Sequence, residues 1–67
     1  MTETLADALP AEIERVTLTA GLYMSVPGGQ FAAAMMLADV RAAQQAIMRG
    51  DVVEMVRIYQ ELKEWKE

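Results

Sequence analysis

Apolar and charged positions are most regular in the last third of the chain. Val52, Met55, Val56, Tyr59 and Leu62 recur on one face, with Ile58 and Trp65 at its edge. Glu54, Arg57, Glu61 and Glu64 lie opposite. That 3.6-residue period predicts a helix over 51–66, packed on a core by one side. Asp51 is placed to cap its first amides, and Glu54 three residues on completes a variant of the capping box. Lys63 and Lys66 fall in the last turn, where the helix dipole favours cations.

The segment before it, residues 30–49, is rich in Ala, Met and Leu, strong helix formers. Gly50 can take the left-handed conformation that ends such a helix. The two segments together predict an antiparallel helical hairpin over 30–65 that turns at Gly50-Asp51. The middle helix is apolar on two sides. One face carries Met36, Val40, Ala43 and Ile47, with Leu37 nearby; the other carries Phe31, Met35, Ala38, Ala42 and Ala46. A helix apolar on two sides is usually sandwiched between neighbours. Packing within the chain is the simpler expectation, and a seam between two copies is the other.

The first segment reads two ways. As a helix over 9–24 it aligns Leu9, Ile13, Val16, Ala20 and Tyr23, with Pro10 in the first turn. As a strand over 16–24 it alternates Val16, Leu18, Ala20, Leu22 and Met24, with Thr17 and Thr19 favouring extended backbone. A lone strand needs a partner, and nothing else here reads as one, so the helix is favoured. Residues 1–8 are expected to be flexible. Val26-Pro27-Gly28-Gly29 fits a type II turn with Gly28 at positive φ. The expected fold is all-α, a three-helix unit in one domain spanning 1–67.

Composition changes this picture in one respect. At 67 residues, with no cysteine and 54% apolar residues, the chain must rely on tight helix packing or on oligomerisation. The net charge of −4 offers no basic field for nucleic acid or for an anionic membrane surface. The longest apolar run, Phe31 to Ala38, is far short of the roughly 20 residues that span a bilayer. A soluble cytoplasmic protein is expected.

Reactive chemistry is sparse. There is no histidine, which removes Ser-His pairs, imidazole metal sites and the usual general base. The single serine, Ser25, sits beside the turn. Gly28-Gly29-Gln30 precedes a helix, but Gln30 and Phe31 stand where a phosphate loop needs lysine and hydroxyl. Glu54, Arg57 and Glu61 alternate in sign at helical spacing, as on a solvated face. No catalytic, cofactor-binding or metal-ligating residue is therefore expected. The candidate partner-binding residues are Phe31, Met35, Ala38 and Ala42, from the second apolar face, and Trp65 near the chain end. Methionine suits adaptable binding faces as well as cores, and tryptophan is a frequent anchor at interfaces.

Leu9-Pro10-Ala11-Glu12-Ile13, Tyr23, Gly28-Gly29-Gln30-Phe31-Ala32-Ala33, Gly50-Asp51-Val52-Val53-Glu54-Met55 and Tyr59-Gln60-Glu61-Leu62-Lys63 together resemble a family of small helical proteins encoded in phages and prophages of Gram-negative bacteria. Those proteins pair an LPAEI-type start with a GDVV-M-x-x-x-Y-x-x-L-K end. The likeness runs from Leu9 to Lys63. It implies a phage accessory role and a helical first segment, and it brings no catalytic residue. The expected function is protein–protein interaction with a host or phage partner, or as a homodimer, without catalysis. The alternative is a dimeric ribbon-helix-helix DNA-binding regulator, with 16–24 as the strand.

Overall fold

A computed structural model describes residues 4–65. They form three helices: α1 (Leu5–Met24), α2 (Gln30–Arg49) and α3 (Val52–Glu64). Each packs on the other two. Among the described residues there is no strand.

The first helix starts earlier than the sequence suggested. Thr4 is the N-cap: its hydroxyl accepts from the Asp7 amide at 3.3 Å and donates to the Asp7 carboxylate at 3.0 Å. Residues 5–8 thus belong to α1, which begins before the expected residue 9, and Ala8 is buried; residues 1–3 lie outside the described residues. Pro10 moves from the first turn to the second. Its missing N–H leaves the Ala6 carbonyl without an intrahelical donor, and both residues are exposed, so solvent can serve instead.

Residues 16–24 are helical, which excludes a ribbon-helix-helix arrangement for this fold. The threonines that argued for a strand are satisfied locally. Thr17 donates to the Ile13 carbonyl at 2.7 Å, and Thr19 to the Arg15 carbonyl at 2.9 Å. With its hydroxyl spent this way, Thr19 can be fully buried. The helical set of Leu9, Val16 and Ala20 enters the core, with Ile13 and Tyr23 half-buried, while Leu18, Leu22 and Met24 stay exposed.

The turn between α1 and α2 runs through Val26 and Gly29, whose amide donates to the Val26 carbonyl at 2.9 Å. Gly28 takes φ 81°. Gly29 is needed for a different reason, because a Cβ there would lie 2.2 Å from the Tyr23 carbonyl oxygen. The second helix ends on Gly50 at φ 66°, with Gly50 donating to Ile47 and Asp51 to Ala46, a Schellman pattern. Asp51 then caps α3 by accepting from the Glu54 amide at 3.1 Å. The hairpin turns where the sequence placed it. The third helix ends at Glu64, and Trp65 follows in extended conformation; Lys66, expected in the last turn, lies outside the described residues.

The core joins Leu9, Val16 and Ala20 of α1 to Ala33, Met36, Val40 and Ala43 of α2 and Ile58 and Leu62 of α3. On α3 the buried line is rotated from the expected one. Ile58 is buried rather than marginal, and Val52 and Val56 are exposed. Ile47 of α2 is also exposed, at 41%. Arg15 links the first helix to the last: it pairs with Glu12 and donates to the Leu62 carbonyl at 2.8 Å. That bond gives the Leu62 carbonyl a second donor beside the Trp65 amide, which reaches it at 3.1 Å.

Candidate docking surface

The second apolar face of α2 is only partly covered, and helix length is the reason. Both α1 and α2 have 20 residues, whereas α3 has 13. At 1.5 Å per residue, the seven missing residues leave α3 about 10 Å short of its neighbours. Over the lower half of that face Ala46 is buried and Ala42 half-buried against the core. Near its upper end α3 runs out. Met35 remains 47% exposed there, and Phe31, one turn further up, 77% exposed.

Trp65 closes the end of α3 at this step. Its indole Nε1 donates to Asp39 Oδ2 at 2.8 Å, which fixes the ring against α2. Met35, Asp39, Glu61, Glu64 and Trp65 together line an open hollow of about 390 Å³. Of the five candidate residues, the fold thus brings Met35 and Trp65 to one site and leaves Phe31 exposed a turn above. Ala38 is exposed but does not line the hollow, and Ala42 belongs to the packing under α3. Asp39, Glu61 and Glu64 were not foreseen as part of the site. Asp39 alone had a signal, as the one charge interrupting the apolar stretch from Phe31 to Val40, four residues after Met35.

The charged face of α3 is organised by Arg57, which bonds both Glu54 and Glu61. The hydrogen bond from Arg57 holds the Glu54 carboxyl below the usual carboxylate range, and the same contact raises the Arg57 pKa. These groups are solvent-facing ion pairs. Ser25 is exposed and ends α1, its backbone amide donating to the Leu22 carbonyl while the Val26 amide donates to that of Tyr23. Among the described residues no group of three or more carboxylates is placed to hold a metal ion. No helix among them is long and apolar enough to cross a membrane.

A second apolar area occupies the opposite end of the bundle. Leu5, Ala6, Leu9, Pro10, Ile47 and Met55 line a hollow of about 220 Å³. Near it, around the α2–α3 turn, Met48 and Val53 are 85% and 81% exposed.

Comparison with known proteins yields no matching family model, curated protein or solved structure.

Proposed function

We propose that this chain is a phage-derived accessory protein that works by holding another protein against the step above α3, without chemistry of its own. The observation that carries this reading is the exposure of Phe31 beside Met35 and a Trp65 ring already fixed in place. Leaving a phenylalanine in water forfeits roughly 2 kcal/mol of burial free energy that a partner would recover. An exposed aromatic one turn from the hollow that Met35 and Trp65 line is the kind of anchor on which interface energy concentrates. The proposed compartment is the cytoplasm, a reading supported by a cysteine-free chain suited to reducing conditions. The partner is of host or phage origin.

The test is a photo-crosslinking amino acid at position 31, compared with one at Gln60 on the exposed side of α3, in cells carrying the phage or prophage. A discrete adduct with a different protein from position 31, and none from Gln60, is the expected result. Adducts of equal yield from both positions would defeat the reading.

A second reading is favoured by Met48 and Val53, whose exposure beside the lower apolar hollow suits contact between two copies at that end. Sedimentation equilibrium of the wild type against Val53→Glu decides it. A dimer abolished by the substitution supports the reading; a monomer in both removes it.

A further inference from the structure

We infer that the hollow under Trp65 is the seat for an arginine side chain carried on an apolar segment of the partner. The inference rests on the docking reading above and names what is recognised there. Three carboxylates, from Asp39, Glu61 and Glu64, share the lining with Met35 and Trp65, and no lysine or arginine lines it among the described residues. Arg57 engages Glu61 from the ion-pair network on α3, and Asp39 holds the indole N–H through one oxygen. Glu64 has neither an ion pair nor a hydrogen bond to another described side chain. The hollow also lies at the C-terminal end of α3, where the helix dipole adds partial negative charge.

Each of these features favours the same group. A guanidinium is always charged, bonds carboxylates through a planar fork and stacks on an indole face. Its three-carbon stem can lie along Met35 while the head reaches the acids. Phe31 and the exposed part of Met35 continue the apolar surface away from the carboxylates, which fits a segment with a leucine-type face and the arginine at its margin. A second copy of this chain fits the hollow poorly, because a symmetric contact would set the carboxylates of both copies against each other.

The experiment is a titration of the full ¹⁵N-labelled chain with a synthetic amphipathic peptide bearing leucines on one face and a single arginine at its edge. A peptide with neutral citrulline in place of the arginine serves as comparison. The indole N–H of the single tryptophan gives an isolated reporter. The Trp65 indole signal and the Met35 and Glu64 amides should move saturably with the arginine peptide, and citrulline should raise Kd about tenfold. Glu64→Gln should weaken binding of the arginine peptide alone, whereas Glu14→Gln on α1 should leave it unchanged. Equal binding of both peptides at these residues would remove the arginine seat and leave the docking surface standing. Movement confined to other regions, or none, would remove both. Movement of the same signals with protein concentration alone would assign the hollow to a second copy and overturn the inference.

Discussion

The Trp65 indole nitrogen donates to Asp39 Oδ2 at 2.8 Å, joining the residue that ends α3 to the middle of α2. This bond converts the short end of α3 into a defined wall. Without it, a half-buried ring after the last helical turn would have no polar partner to select its position. Asp39→Ala should red-shift the emission of the only tryptophan and lower stability by about 1–2 kcal/mol. An emission spectrum identical to that of the wild type would show that packing alone holds the ring.

Gly29 and Gly21 should respond oppositely to alanine. A Cβ at Gly29 meets the Tyr23 carbonyl at 2.2 Å, and rigid backbone cannot yield cheaply, so Gly29→Ala should cost about 1–3 kcal/mol. Gly21 lies inside α1 with nothing within 4 Å of a new Cβ, so Gly21→Ala should gain about 0.5–1 kcal/mol. Thermal unfolding of the two variants checks both signs.

The rotation of α3 toward Ile58 sets a contrast within one helix. Ile58→Ala should lose about 2–4 kcal/mol, enough to unfold much of so small a protein. Val56→Ala, at a position 43% exposed, should lose under about 1 kcal/mol. Similar losses in the two variants, measured by urea denaturation, would restore the face centred on Val56.

The Arg57 pair gives a signed pH dependence. Glu54 has its pKa lowered in the folded state by the hydrogen bond from Arg57, so its contribution is present at neutral pH. It fades as pH falls through the folded-state pKa of Glu54 and the carboxylate takes up a proton. The stability difference between wild type and Arg57→Gln should therefore be small and favour the wild type at pH 7, then shrink in acid. A difference that grew in acid would contradict the assignment. Screening by solvent and salt keeps the effect modest.

The hairpin was legible because its signals are local. Asp51, Glu54 and Gly50 act within one turn of their own positions, and α3 has a single charged face to exclude from the core. The start of α1 was missed although Thr4-Leu5-Ala6-Asp7 carries a capping pattern, because Pro10 offered a competing start. The rotation of α3 was not legible: Val52, Val56 and Ile58 are equally apolar, and only the position of α1 decides which is covered. The docking hollow depends on a difference in helix length and on a bond between residues 26 apart in sequence. Neither leaves a periodic trace. Arg15 had no reading in the sequence beyond its charge, and its reach to Leu62 depends on how α1 crosses the end of α3.

The local bonds of Thr17 and Thr19 have a consequence beyond the native state. They hold in a helix a stretch whose alternation and β-branched residues suit extended pairing equally well. No charged residue lies between Arg15 and Asp39 to oppose such pairing. Once α1 detaches, Val16 to Val26 offers neighbouring chains an uncharged, alternating segment of the kind that seeds cross-β assembly. Persistence of the folded protein at high concentration would then be governed by how rarely α1 opens.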